Sequence, residues 1–315
     1  MKQTIFSVIL ISIIGVILST GMTSCRKDKF QPSIKQYDSI QINKYIAANG
    51  LNGFLKDTTD GDTTGMYYKI LNPGSGTPIQ YSDKITFVYT YKTLDGVYTT
   101  SDTIANHFYD YVGHIYADGF PTGMQTAVHN LLKYPNASMR VLIPSHLAYG
   151  RNGKSSGSTQ VANNNIPGNE SLDVYIHAVT DFVTYDDLVI RNYIAANNLK
   201  NYNKTTDGVY YSVLTAPTGT DPIVSGSTIT CTYTGQLLNG TIFDGSYNGD
   251  NVATFSMMDF ATPGNVEALE KYAEAGTKLS VILPSTQAYG VNAPSSGVPA
   301  FSCMRFTWQV ITVTQ

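Results

Sequence analysis

Two tyrosine-bearing sets recur in the same order along the chain, and their residue types limit the chemistry they can do. The first set is Val88-Tyr89-Thr90-Tyr91, Leu94-Asp95-Gly96, Ile143-Pro144-Ser145, Ala148-Tyr149-Gly150 and Ile166-Pro167. The second is Thr232-Tyr233-Thr234-Gly235, Leu238-Asn239-Gly240-Thr241-Ile242-Phe243-Asp244, Leu283-Pro284-Ser285 and Ala288-Tyr289-Gly290. Tyr89 and Tyr149 stand 149 − 89 = 60 positions apart, and Tyr233 and Tyr289 stand 289 − 233 = 56 apart. Rings and hydroxyls in this combination make an apolar wall with a few hydrogen-bond donors, suited to holding and orienting a ligand. Each residue taken singly also fits a plain structural role, a core tyrosine with a satisfied hydroxyl or an aspartate in a turn. The ordered set carries more than any member.

Other chemistries lack their residues. All five histidines (His107, His114, His129, His146, His177) fall in the first half. None shows metal-ligand spacing with cysteines or paired acids, so no metal or cofactor is expected. Neither a Gly-rich phosphate loop nor a Gly-x-Ser-x-Gly elbow is present. A formal net charge of −3 and a pI near 5.9 leave no basic patch for nucleic acid.

The elements that must position the two sets also come in pairs. Tyr37 to Asn49 matches Tyr185 to Asn197, with apolar residues at helical spacing (Ile42, Tyr45, Ile46; Val189, Tyr193, Ile194) and an aspartate, Asp38 or Asp186, suited to a helix start. First strands follow at Gly65–Leu71 and Gly208–Leu214, and second strands at Lys84–Tyr91 and Thr228–Thr234. Short helices are expected at Gly123–Lys133 and Asn265–Tyr272. Strands Ser138–Ile143 and Lys278–Leu283 lead into the Ala-Tyr-Gly loops, and each copy closes with a strand, Ser171–Val179 or Met304–Val313. Strands dominate, with one short helix to cover a face, which is an α+β solution. At 315 residues the length suits two domains.

In order and spacing the motifs resemble the FKBP-type peptidyl-prolyl cis-trans isomerase family, over nearly all of residues 60–180 and 205–315. The resemblance implies two tandem domains, 37–182 and 183–315, each a twisted antiparallel half-barrel sheet of five strands wrapped around a short helix. The leading helices lie outside it. It also implies that proline-containing polypeptides are the substrates. In the second copy Tyr233, Phe243, Asp244, Tyr289 and Phe306 would form the catalytic pocket, with Val298 and Phe255 on its wall. The family places a Trp on the pocket floor after a Gly; here Gly264 is followed by Asn265 and Val266, which would leave a proline ring less enclosed. The only Trp, Trp308, lies in the last strand and is expected in the core. The first copy keeps Tyr89, Tyr149 and Ile166 but has Thr99-Thr100 for the Phe-Asp pair, Met124 at the floor and Val174 for the last-strand Phe. It is expected to be structural or a binding module. Three functions therefore stand: an isomerase assisting the folding of exported proteins, a non-catalytic peptide-binding chaperone, and a glycan-binding surface protein stacking sugars on its 23 tyrosines.

The N-terminus points to export. Lys2 precedes an apolar run, Ile5 to Leu18, which ends at Met22-Thr23-Ser24-Cys25. Residues 1–24 read as a signal peptide and 25–36 as a polar tether. A cysteine after small residues resembles a bacterial lipoprotein box, with Met22 where Leu is usual; ordinary cleavage and an uncleaved anchor are the other readings. Acylated Cys25 would anchor the chain in the membrane and place it in the cell envelope, on the periplasmic or outer-membrane side. Of the remaining cysteines, strand period turns Cys231 inward with Ile229 and Tyr233, and Cys303 outward from Met304, Phe306 and Trp308, so no bridge is expected.

Overall fold

A computed structural model describes residues 32–61, 63–100, 102–154, 165–246, 251–294 and 297–315. The apolar run Ile5 to Leu18 and Cys25 lie outside the described residues. The fold is α+β, built on two antiparallel sheets. The first half contains strands β1 (Leu55–Lys56), β2 (Tyr67–Asn72), β3 (Lys84–Thr93), β4 (His107–Tyr111), β5 (Ser138–Ile143) and β6 (Leu172–Ala178), ordered β1-β2-β5-β6-β3-β4. The second contains β7 (Asn203–Lys204), β8 (Tyr210–Thr215), β9 (Thr228–Leu237), β10 (Ile242–Gly245), β11 (Ala253–Ser256), β12 (Lys278–Leu283) and β13 (Met304–Thr314). Its order, β7-β8-β12-β13-β9-β10, repeats the first, and β11 continues the edge along β9. Each sheet thus has more strands than the five expected. The two-residue pieces β1 and β7 are too short to show a period, and β10 and β11 are one edge strand interrupted.

A helix covers one face of each sheet. In the second half it is Pro263–Tyr272, with Pro at its first position. In the first it begins as Thr122–Thr126 and widens into a π-helical turn, Ala127–Leu132. The period of two along β13 sends Met304, Phe306, Trp308 and Val310 into the core beneath Pro263–Tyr272, with Val281, Leu283 and Leu269.

The outer face of each sheet carries the leading helix, Ile34–Ala48 (α1) or Phe182–Ala196 (α3 in chain order, the short Thr122–Thr126 helix being α2 and Pro263–Tyr272 α4). These helices start earlier than Asp38 and Asp186. Ser33 with Gln36 forms a capping box on α1, and the Asp181 carboxylate accepts the Thr184 N–H of α3. The expected tether therefore ends before Ile34. Asp38 and Asp186 are instead interior helix residues, each 1% exposed. Asp38 accepts hydrogen bonds from Ser145 Oγ at 2.7 Å and from His146 N and Nδ1 at 3.2 and 2.8 Å. Asp186 accepts from Ser285 N at 2.8 Å and Oγ at 2.7 Å. Each leading helix is thereby pinned to the Pro-Ser turn that begins a tyrosine loop.

Cys303 faces away from the main core, as strand period requires, yet it is buried. Ile190, Tyr210, Leu238 and Ile282 surround it beneath α3. A face that reads as outward in a lone sheet is interior once a helix lies on it. Cys231 and Cys303 are both free thiols, on opposite faces of the sheet, and burial pushes Cys231 up to about 12.

Burial raises the Asp186 carboxyl above its usual range, opposed by the Ser285 bonds. A carboxyl raised on folding contributes stability below its unfolded pKa of about 3.9, and that contribution is lost as pH rises through the folded value. Asp186→Asn does not titrate, so its stability relative to wild type should grow from about pH 4 upward and then level off. Asp186→Ala should cost about 1–3 kcal/mol by stranding the Ser285 donors. Urea unfolding across pH measures both.

Candidate functional site

The pairing of β9 with β13 assembles the site. Tyr233 lies opposite Trp308 and Gly235 opposite Phe306. Tyr233 stacks on Trp308, ring centroids 4.9 Å apart and 14° from parallel, and Phe306 stacks on Trp308 at 5.7 Å and 11°. Phe243 stands edge-on to Phe306 at 5.9 Å and to Tyr289 at 6.4 Å. Phe255 is edge-on to Tyr233 at 5.3 Å and to Trp308 at 5.9 Å. Edge-to-face and offset contacts of this kind are the favoured geometries for aromatic pairs. Phe260 joins them, 5.6 Å from Trp308.

Gly235 makes room for this cluster. A Cβ there would lie 2.8 Å from Phe306 and 3.1 Å from Phe243. The strand register shifts between Ile242 and Asp244, so Phe243 sits on a bulge that re-aims its ring. Phe306, Trp308 and Val298 are buried, while Tyr233, Phe243, Phe255, Val266 and Tyr289 are half-buried around them.

The floor differs from the sequence expectation. Asn265 is 1% exposed and gives no open floor. Its Oδ1 accepts the Trp308 Nε1–H at 3.0 Å, and its Nδ2 donates to Thr262 Oγ1 at 2.8 Å. The residue after Gly264 therefore carries no ring because the indole enters from β13. Periodicity put Trp308 in the core; nothing in the sequence paired it with Asn265. Val266, one position on, is half-buried against the same cluster.

The electrostatics are those of a protonated, apolar site. Burial raises the Tyr233 hydroxyl above its ordinary pKa, and its hydrogen bond to the Asp244 carboxylate raises it further. Burial and the Asp244 charge do the same to Tyr289. Both remain hydroxyl donors at neutral pH. Among the described residues no cluster of His, Cys, Asp or Glu could hold a metal ion.

The first half brings together different residues. In the register of β3 with β6, Tyr89 lies opposite Ile176 and Tyr91 opposite Val174. Tyr91 thus takes the place that Gly235 has in the second half, and Val174 takes that of Phe306. The Tyr91 ring lies between Tyr89 and Tyr98, 5.7 Å from each, and is 6% exposed. Burial and a hydrogen bond with Tyr149 raise its hydroxyl pKa. Tyr89 is pushed up to about 12, mainly by burial. Thr100 binds the Tyr91 backbone, its N–H donating to Tyr91 O at 2.9 Å and its Oγ1 accepting Tyr91 N–H at 2.8 Å. Ile166 is buried and pairs with Lys154 through backbone bonds in both directions. Sequence reasoning passed over Tyr91; the signal was the Tyr/Gly difference at aligned positions.

Known proteins carry the same pattern. The profile of FKBP-type peptidyl-prolyl cis-trans isomerases matches residues 219–311. That segment, which holds the second tyrosine set, is similar to the FKBP-type peptidyl-prolyl cis-trans isomerase family. It is 31% identical over 117 residues to FKBP-type peptidyl-prolyl cis-trans isomerase FkpA of Buchnera aphidicola, a match covering 37% of this chain and 45% of that protein. It is 33% identical over 106 residues to the outer membrane protein MIP of Legionella longbeachae, covering 34% and 44%. A 27% identity to human peptidyl-prolyl cis-trans isomerase FKBP9 extends over 236 residues, 73% of this chain and 35% of that one. The chain spans about half the length, or less, of these curated relatives.

Asn265→Ala should leave the Trp308 indole N–H buried without an acceptor, costing about 1–3 kcal/mol in urea unfolding. Trp308 is the only tryptophan, so its emission follows both that unfolding and any ligand settling on the cluster.

Proposed function

We propose that the second half is a peptidyl-prolyl cis-trans isomerase acting on exported polypeptides, and that the first half has the same fold with its site closed. The observation that carries the reading is the aromatic cluster in which Tyr233 and Phe306 stack on Trp308 while Phe243 stands edge-on to Phe306 and Tyr289. The repeat of strand order in both halves, and the FKBP9 similarity running over 236 residues, support two domains of one kind. The proposed boundaries, 37–182 and 183–315, fall within the leading helices, which begin at Ile34 and Phe182.

The reaction needs neither nucleophile nor cofactor. Amide resonance sets the barrier, about 18–20 kcal/mol. A twisted X–Pro bond has lost much of its charge separation, so an apolar, water-excluding site favours it over the planar ground state. The proline ring would rest against Tyr233, Phe243 and Phe306, with Phe255, Val266 and Val298 completing the wall. The Tyr289 hydroxyl would donate to a substrate carbonyl, and Asp244 would hold the Tyr233 hydroxyl in place. Asn265 contributes from beneath, by fixing the indole.

Tyr91 supports the closed reading of the first half. It puts a ring at the register position where the second half has Gly235, beside Tyr89 and Tyr98, which supports a filled site for Tyr89, Tyr149 and Ile166. Its role would be structural or peptide-binding at the surface.

Export and anchoring rest on the N-terminal pattern, Ile5 to Leu18 followed by Cys25. No helix among the described residues is long and apolar enough to cross a membrane. An acylated Cys25 would then hold the chain at the envelope. Cys25→Ser should abolish incorporation of labelled fatty acid; label retained in that variant would end the lipoprotein reading.

Protease-coupled isomerisation of an apolar-X–Pro peptide tests the catalytic reading. The full chain should accelerate exchange, and Tyr233→Ala or Phe243→Ala should lower kcat/KM on the order of tenfold or more, as loss of binding surface realised in the transition state does. Tyrosine hydroxyls normally titrate near 10, and both are raised here, so the rate should stay flat from about pH 6 to 9. A chain with no activity would leave the peptide-binding chaperone as the better account.

A further inference from the structure

Phe301 has a backbone φ of +55°. Bulky L-residues rarely adopt this left-handed region, and such outliers persist only where surrounding contacts enforce them. The contacts enforcing this one come from outside the isomerase sheet. His107 of β4 places Nδ1 2.8 Å from Ala300 O. Burial lowers its pKa, and a carbonyl partner requires Nδ1 to carry the proton. Tyr109, two residues on and on the same face of β4, meets the Phe301 ring edge-on at 5.1 Å. Phe182, at the start of α3, stacks on its other side at 4.4 Å and 16°. Ile104, in the segment leading to β4, packs against the core of the second half.

The left-handed turn sends the ring of Phe301 toward the first half and its amide the other way. That N–H donates to Gly290 O at 2.7 Å. Gly290 follows Tyr289, and its own N–H donates to Ser285 O at 3.1 Å. The tyrosine loop is therefore held at its base by Asp186 through Ser285, and at its far side by Phe301. Val298, on the wall of the aromatic site, lies three residues before Phe301 on the same segment.

We propose that the first half is a positioning module for the isomerase site. His107 and Tyr109 fix the Ala300–Phe301 corner, and that corner sets the Tyr289 hydroxyl through the Phe301 amide. His107, Tyr109 and Phe301 are positioning residues; none touches substrate. This rests on the reading of the second half as the isomerase. It gives the first half, whose own site is filled by Tyr91, a function in its partner's reaction.

The test uses the full chain with His107→Ala/Tyr109→Ala. Phe301→Gly serves as a second variant, because glycine adopts φ +55° freely while losing the ring that the first half grips. Each should lower kcat more than it raises KM, with kcat/KM falling on the order of tenfold, within the about 10²-fold that an ångström of misplacement can cost. In a Tyr289→Phe background the same changes should add nothing, since both act through one hydroxyl. Amide exchange supplies a readout independent of activity. The Phe301 N–H should lose protection in His107→Ala/Tyr109→Ala, while the amides of Val281 and Trp308 keep theirs. Unchanged Phe301 protection, or full additivity with Tyr289→Phe, overturns the proposal. So does equal loss of protection at Val281 and Trp308, which would mark a general loss of stability. If the wild-type chain isomerises nothing, the exchange result alone decides: selective loss at Phe301 upholds the coupling while the isomerase reading fails.

Discussion

The register between β9 and β13 is the constraint on which the second half depends. Ten residue pairs lie in that ladder, and side chains alternate faces along both strands. With Tyr233 opposite Trp308 and Gly235 opposite Phe306, the rings gather on the face covered by Pro263–Tyr272. A slip of one residue would turn Phe306 and Trp308 to the other face, beneath α3, and bring Thr307 and Arg305 into the aromatic site. The indole donor reinforces the register. Asn265 on the covering helix is the acceptor it finds, so sheet and helix are locked at a polar point inside an apolar cluster. A buried donor without that acceptor would cost more than the bond contributes, which makes the pair a specificity device as well as a contact.

The same register serves both halves with the volumes exchanged. Where β9 has Gly235 and β13 has Phe306, β3 has Tyr91 and β6 has Val174. One large and one small residue fill each pair, so packing density is kept in both. The difference is the strand from which the ring enters. The ring from the last strand stacks on the indole, whereas the ring from β3 lies between Tyr89 and Tyr98. Volume-conserving exchanges are the ones cores tolerate best, so one strand order accommodates both pairs.

Much of this was legible in the sequence because period and turn chemistry carry it. Ser138–Ile143 and Lys278–Leu283 are strands at the expected bounds; the first closing strand is one residue shorter than expected at each end, and the second is one residue longer. Both leading helices followed from apolar spacing. Their first residues did not, because Asp38 and Asp186 have the type of a cap and the position of a buried ligand to a serine. Long-range pairing decides that, and one sequence holds no record of it. Cys303 shows the same limit: its face was readable, but what lies on that face was not. The aromatic members of the site were legible through their ordered motifs. The floor was not, since Trp308 and Asn265 stand 43 positions apart and only the β13–helix geometry joins them.

Two buried carboxylates show how the leading helices enter the architecture. Asp38 and Asp186 are nearly inaccessible to water and are stabilised by serine hydroxyls and backbone N–H groups. Burying a carboxylate is unfavourable unless its lone pairs are filled, so each helix has one docking position that satisfies its aspartate. In both halves that position lies at the Pro-Ser turn, whose serine stands four residues before a tyrosine. The helix that joins the halves, α3, carries Asp186 on one side and, at its start, Phe182 against Phe301. It therefore touches both supports of the Tyr289 loop. A linker would leave the halves to move independently; a helix that contributes a residue to each support ties the orientation of the first half to the shape of the second half's site.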